Sequence, residues 1–507
     1  MHRRTFIGHS AAALTATALS RQALAAEPLE RVSVVVQTRE MIGPLPHVWA
    51  ESAGSDRAAI TMRESWRGDL DRWIKEAGLK RVRFHGILND ELGVYAPSIQ
   101  NRGKATPNFR NVFEVYDGLV ARGVSPFVEV SFMPKALASG VTEFGFYKAN
   151  ITPPKSLSDW GDFVTTFARA LADRYGISTV RDWPFEIWNE PDLGFFWTGT
   201  QQDYFDLYKA AAVAIKSVDP AIKVGGPATS GGKWIKEFTS YCSTSNSPLD
   251  FIATHAYAGG NQQEFYGKGV SYSINQVIPD NVARARSLID ASAFKGMPLW
   301  LSEWSSDSPA MIAHTIEKCL PMVRGMSQWV MSGSYEELGV SDYLLKEGDM
   351  GWSTMVRGIA RPSFNTYKLM HALGHERLAA QGPVLASRRD GRTVAALVWN
   401  LAEAQQPAGI PGAAADRKVV GSAKTLDIRF AGARPGAKAR VWFVDQDRGS
   451  PMPAWREMGS PRLPALAQID RLRRAADIAP ATTLRLDGTG SLSLTLPPEG
   501  VALIELV

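Results

Sequence analysis

The segment Phe185-Glu186-Ile187-Trp188-Asn189-Glu190-Pro191-Asp192 carries an apolar, aromatic run into a carboxylate that proline follows at once. Proline has no N–H to give to a ladder, so a strand here ends at Asn189-Glu190. A second run, Pro298-Leu299-Trp300-Leu301-Ser302-Glu303-Trp304, delivers Glu303 in the same way. One strand-terminal glutamate is as easily a structural cap as a reactive group. Two in matched settings argue for chemistry. Facing each other across a cleft, they suit cleavage of a glycosidic bond: one carboxyl protonates the leaving oxygen and the other meets the oxocarbenium-like carbon.

Further polar groups fall on strand ends. Arg83 and His85 share a face by the period-two alternation of a strand, and so do His255 and Tyr257 in Thr254-His255-Ala256-Tyr257. A last strand brings Trp329, with Glu336-Glu337 just beyond it. Hydrogen bonding to sugar hydroxyls is the role such groups fill. Neither His85 nor His255 stands in an HxxxH or HExxH spacing, so no metal is expected. Cys242 and Cys319 are the two cysteines, without a CxxC, which excludes a disulfide framework and a cysteine zinc site. No GxGxxG follows a strand, and no cofactor is expected.

The elements that must position these residues alternate along the chain. Strand-like runs are His47–Glu51, Arg81–His85, Phe127–Phe132, Phe185–Asn189, Ile222–Gly225, Phe251–Ala256, Leu299–Glu303 and Gln328–Met331. Between them lie helical patterns that stop at Gly or Pro, such as Arg63–Ala77 before Gly78, Val112–Arg122 before Gly123, Ser156–Tyr175 before Gly176 and Gln201–Val218 before Pro220. Eight such units over residues 47–370 predict an α/β fold, a (β/α)8 barrel. Glu190 then ends strand four and Glu303 strand seven, on opposite sides of the mouth where polar strand ends converge. The remainder, 371–507, reads as short strands broken by Gly, Pro and Asp, from Thr393–Leu401 to Val501–Val507, and predicts an accessory β-sandwich. Arg31–Gln37, within 27–46, is a strand outside the barrel and is assigned to that sandwich, with Gln406–Arg417 as a loop in it.

Composition sets the outer limits. The 507 residues are 45% hydrophobic and 21% charged, an ordinary globular mixture with 15 tryptophans for cores and sugar-stacking surfaces. Residues 1–26 carry Arg3-Arg4, an Ala/Leu/Thr stretch and Ala23-Leu24-Ala25, the parts of a twin-arginine-type signal peptide. Its loss implies a periplasmic or secreted protein. Removing Arg3, Arg4 and Arg21 with it lowers the net charge from +5 to +2, too little to argue for nucleic acid. No later stretch has the roughly 20 apolar residues of a membrane span.

Several blocks together resemble glycoside hydrolase family 39: Arg83-Phe84-His85-Gly86, Phe132-Met133-Pro134, Asn150-Ile151-Thr152-Pro153-Pro154-Lys155 and Trp188-Asn189-Glu190-Pro191. Ser302-Glu303-Trp304, Glu336-Glu337 and Arg361-Pro362-Ser363-Phe364 extend the likeness. It departs at Ser332-Gly333-Ser334-Tyr335, where a more acidic and aromatic segment is expected. The resemblance implies a retaining exo-glycosidase of β-xylosidase type acting on xylo-oligosaccharides or xylosides. Glu190 would be acid/base, Glu303 nucleophile, and Asn189 the partner of the sugar 2-hydroxyl. Arg83 and Tyr257 would orient the nucleophile, while His85, His255, Trp329, Glu336 and Glu337 line the glycone pocket. Two alternatives stay open. One is another glycosidase on this scaffold, an arabinosidase, iduronidase or exopolysaccharide hydrolase, with Lys268 as candidate cation for a uronic acid. The other is a catalytically silent carbohydrate-binding protein. The oligomeric state is not legible from the sequence.

Overall fold

The structure, a computed structural model, describes residues 29–259, 262–333, 336–337, 339–347, 353–403 and 420–507. The signal-like segment 1–26 and the Gln406–Arg417 loop lie outside the described residues, as do Ser334 and Tyr335. Eight parallel strands close into a barrel in chain order: Ser52–Arg57, Arg81–His85, Ser125–Val130, Pro184–Ile187, Lys223–Ser230, Phe251–Ala256, Leu299–Trp304 and Gly325–Gln328. Helices follow the stops the sequence sets. Glu64–Ala77 ends on Gly78 at φ 69°, and Gln201–Val218 begins with a Thr200/Asp203 capping box.

Two strands stand elsewhere than expected. The apolar residues Val48–Ala50 form a buried 3-10 turn rather than strand one, which runs instead through the small, polar Ser52–Arg57. Strand eight ends at Gln328, so Trp329 lies just past it. Small residues are what these positions need, because bulky neighbours fill the barrel from other strands. A Cβ on Gly54 would come within 2.6 Å of the Trp329 ring, and one on Gly325 within 2.3 Å of Trp300. At the closed end of the barrel, Phe127 meets Trp300 at 5.1 Å and Phe251 at 6.0 Å between ring centroids, both edge-on. Polar side chains occupy the other end.

The second sheet has nine strands, in the order Thr482–Arg485, Lys438–Val444, Val501–Leu506, Thr393–Trp399, Val384–Arg389, Glu376–Gln381, Glu30–Pro44, Lys424–Ala431 and Ser491–Leu496. Glu30–Pro44 pairs parallel to Lys424–Ala431 and antiparallel to Glu376–Gln381. Val34, Ile428 and Leu494 from one end share a core with Val441 and Ile504 from the other, so the sheet folds over itself as a sandwich would. The alternate residues Leu385, Leu397, Trp399 and Leu503 join the core of the barrel. Two helices, Met452–Glu457 and Leu466–Ala475, lie between the strands Lys438–Val444 and Thr482–Arg485. Their Trp455, Ile469 and Leu472 also pack into the barrel core. No described helix is long and apolar enough to cross a membrane.

Candidate active site

Arg83, on strand two, is wholly buried at the open end of the barrel. A buried cation must be matched by anions, and this one meets three. Its Nη1 donates to Glu303 Oε1 at 2.5 Å and its Nε to Glu186 Oε2 at 2.6 Å. Its Nη2 donates to Asn189 Oδ1 at 2.9 Å and lies 2.9 Å from Glu129 Oε2. The Tyr257 hydroxyl donates to the other oxygen of Glu303 at 2.8 Å. Both oxygens of Glu303 are thereby held, and the carboxylate cannot swing.

Glu190 stands at the sharp turn that Pro191 forces at the end of strand four. Trp188 and Glu190 have φ of 74° and 39°, left-handed backbone that non-glycine residues adopt only when their surroundings impose it. The Glu190 N–H donates to the Ala228 carbonyl at 2.9 Å, and the Trp188 indole to Phe196 O at 2.9 Å. His255 Nδ1 lies 3.0 Å from Glu190 Oε1 and 3.6 Å from Glu303 Oε2, bridging the pair. One carboxylate oxygen of Glu190 and one of Glu303 lie within 4.8 Å of each other.

The two carboxyls are driven apart in acidity. Burial pushes Glu190 well above the usual carboxylate range, and the charges of Glu303 and Asp192 add to it. Desolvation therefore leads, and repulsion by Glu303 comes second. Burial acts on Glu303 too, but the His255 ring, Arg83 and His85 outweigh it and hold this carboxyl below its usual range. His255 is itself kept low by burial, so Arg83 and His85 carry the lasting positive charge. Burial would lower His85 as well. Glu129, 2.7 Å from its Nδ1, lifts it instead to about 9. Burial and charge thus favour the proton on Glu190 and the negative charge on Glu303, two different tendencies from the same residue type.

The remaining expected residues divide. Trp329 packs 4.6 Å from His85 between ring centroids, with Phe132 and Phe196 at 6.0 and 5.9 Å, and Glu337 Oε1 lies 3.8 Å from His85 Nε2. Glu336 is turned into a cation clamp instead, 3.0 Å from Arg57 and 2.6 Å from Arg63. Lys268 is exposed beyond the short helix Gln263–Tyr266, and among the described residues no ion pair joins it to the acidic groups of the site. Glu129 and Glu186, the counter-ions of Arg83, were not singled out from the sequence. Their signal is a lone carboxylate inside an apolar strand, as in Val128-Glu129-Val130 and Phe185-Glu186-Ile187.

Two trios, His85–Glu129–Glu303 and Glu190–His255–Glu303, have ligand atoms spaced closely enough for a metal ion. The first suits one poorly. The Arg83 guanidinium already lies on Glu129 and Glu303, a cation where the ion of the first trio would have to sit. The arrangement can give a proton from Glu190 and present an ionised oxygen of Glu303 to the same small volume.

Known proteins resemble this chain over most of its length. A β-xylosidase of Geobacillus stearothermophilus is 31% identical over 480 residues, which is 90% of this chain and 92% of that protein. One of Caldicellulosiruptor saccharolyticus is 32% identical, over 88% and 92%. The crystal structure of a monomeric β-xylosidase from Caulobacter crescentus superposes with a TM-score of 0.82 at 32% identity, covering 94% of this chain and 99% of that one. The pattern described as Glycosyl hydrolases family 39 matches residues 32–492, and the chain, a glycoside hydrolase, belongs to that family.

Proposed function

We propose that this glycoside hydrolase is a retaining, exo-acting β-xylosidase that works by double displacement through Glu190 and Glu303. The observation that carries the reading is the pair itself: oxygens within 4.8 Å, one carboxyl pushed up and the other held down. Retaining pairs sit about 5–5.5 Å apart, whereas inverting pairs leave roughly 6.5–9.5 Å for a water. Glu303, fixed by Arg83 and Tyr257, attacks the anomeric carbon while Glu190 protonates the departing oxygen. Glu190, now a carboxylate, deprotonates the water that cleaves the glycosyl-enzyme.

Asn189 Oδ1 accepts from Arg83, and its Nδ2 is buried with no partner among the described residues. A substrate hydroxyl next to the anomeric carbon would satisfy it. His85, Trp329 and Glu337 form the far wall of the glycone site. The β-xylosidase relatives support xylose as the glycone. We further propose twin-arginine export, with a mature N-terminus near Ala25 or Ala26. Mass spectrometry of the exported protein tests it, and undiminished export after Arg3-Arg4→Lys-Lys would overturn it.

A panel of chromogenic glycosides tests the function, with Glu190→Gln and Glu303→Gln as controls. Turnover of β-xylosides above other glycosides is expected, and proton NMR should find β-xylose before mutarotation mixes the anomers. Early α-xylose overturns the covalent mechanism. Preference for another glycone overturns the xylosidase, and sugar binding with no turnover overturns the enzyme.

A further inference from the structure

Beside the catalytic pair, on the Glu190 side, a second cavity of about 280 Å3 opens between the loops after strands five and six and the helix Val277–Asp290. Ser230, Gly231, Lys233, Tyr257, Asn281 and Arg284 line it. Two links tie it to the reaction. Tyr257, one of its walls, donates its hydroxyl to Glu303. Ser230, another, donates its N–H at 2.9 Å to Asp192, two residues past Glu190. The leaving oxygen must lie against the carboxyl that protonates it, and Asp192, bonded to the Ser230 wall, stands two residues past that carboxyl.

The lining says what that group carries. Asn281 is only 4% exposed, and its Nδ2 donates to the Val277 carbonyl at 2.8 Å. Among the described residues its Oδ1 has no hydrogen-bond partner, and it faces Gly231, where a Cβ would stand 3.4 Å away. A buried oxygen left open is costly unless a donor fills it. Arg284 supplies the complementary feature. Its guanidinium lies 5.1 Å from the Phe265 ring centroid and, among the described residues, has no acidic partner. The neighbouring cation, Lys233, is by contrast committed to Glu264 at 3.3 Å. An open acceptor and an open guanidinium in one small cavity fit a hydroxyl and a carboxylate on roughly one sugar ring.

We infer that this cavity is a leaving-group subsite for an acidic sugar, a uronic acid or a residue bearing one, with Arg284 holding the carboxylate and Asn281 Oδ1 a hydroxyl. The inference rests on the proposed function for its place in the reaction, not for its binding. Saturation-transfer NMR titration of methyl β-D-glucuronide and methyl β-D-glucoside onto the wild type and Arg284→Ala reads the binding. The glucuronide should bind better, and Arg284→Ala should weaken it about tenfold while leaving the glucoside unchanged. In kinetics, xylosyl-glucuronic acid should lose about tenfold in kcat/KM in Arg284→Ala, with xylosyl-glucose and an aryl xyloside unchanged. Equal binding of the two sugars, or an equal loss on neutral and acidic substrates, overturns the subsite. Absence of xyloside turnover by the wild type overturns the proposed function alone, because the titration needs no turnover.

Discussion

At the scale of single residues, the site is one buried cation distributing charge among carboxylates. Arg83 sets Glu303 low and leaves Glu190 to its burial, so the two glutamates divide the labour without differing in type. Glu303→Ala should abolish turnover of activated aryl xylosides, a loss of at least about 10^4-fold, because nothing else reaches the carbon. Glu190→Ala should keep first-step activity on those substrates, since a good leaving group needs little protonation. Steady-state and burst kinetics on folded variants decide it, and equal total loss in both would count against these roles. The pH profile follows in sign. Glu303 must be ionised, so activity falls as pH drops through its depressed pKa. Glu190 must be protonated, so activity falls again as pH rises through its raised pKa. A bell-shaped kcat/KM is expected, and Glu190→Gln should remove its alkaline limb. An alkaline limb that survives in that variant would assign the acid elsewhere.

At the scale of elements, legibility depended on whether a strand advertised its neighbours. Phe251–Ala256 and Leu299–Trp304 are apolar, and their positions are plain in the sequence. Ser52–Arg57 is not, because its small residues exist to admit Trp329, a side chain that arrives from strand eight. Glu190 and Glu303 were legible as a candidate pair because each carboxylate ends an aromatic strand. Glu129 and Glu186 were not, since only the closed barrel brings them to Arg83. The same packing makes a sharp prediction on strand five. A Cβ on Gly225 would come within 2.4 Å of the Phe251 carbonyl oxygen and of its ring. The oxygen belongs to a paired strand and cannot yield. Gly225→Ala should therefore destabilise the barrel by about 1–3 kcal/mol, the scale of an overpacked core. Gly269→Ala, where a Cβ meets nothing within 4 Å, is a poor control because its φ of 80° is strained for any side chain. Gly68→Ala, open and at ordinary backbone angles, is the proper one. Urea denaturation compares the two, and equal midpoints would refute the packing argument.

At the scale of the whole molecule, the nine-stranded sheet buries its alternate residues in the barrel core, and the two helices set into it do the same. That docking was hidden in the sequence because Trp455, Ile469 and Leu472 lie 127 to 144 residues past the last barrel strand. The joint between barrel and sheet also holds three histidines. His47 stacks on Trp49 at 4.5 Å and on His375 at 4.3 Å between ring centroids, with His371 edge-on at 6.4 Å. Leu45 N–H donates to His375 O at 2.7 Å, so the strand from the sheet enters the barrel at this point. Burial lowers His47 to about 4; the bond to the Gly374 carbonyl opposes this, and His375, His371 and Lys80 add to the lowering. A histidine depressed by folding stabilises the protein above its unfolded pKa of about 6.5. That contribution is lost as pH falls from there towards the folded value, because the unfolded chain takes up a proton that the folded one refuses. The slope is at most about 1.4 kcal/mol per pH unit. His47→Phe keeps an aromatic ring in the stack and removes the proton. Scanning calorimetry between pH 6.5 and 4 should therefore show a shallower fall of Tm in His47→Phe than in the wild type, whatever the other histidines contribute to both. Parallel slopes would mean that the joint does not respond to His47 protonation.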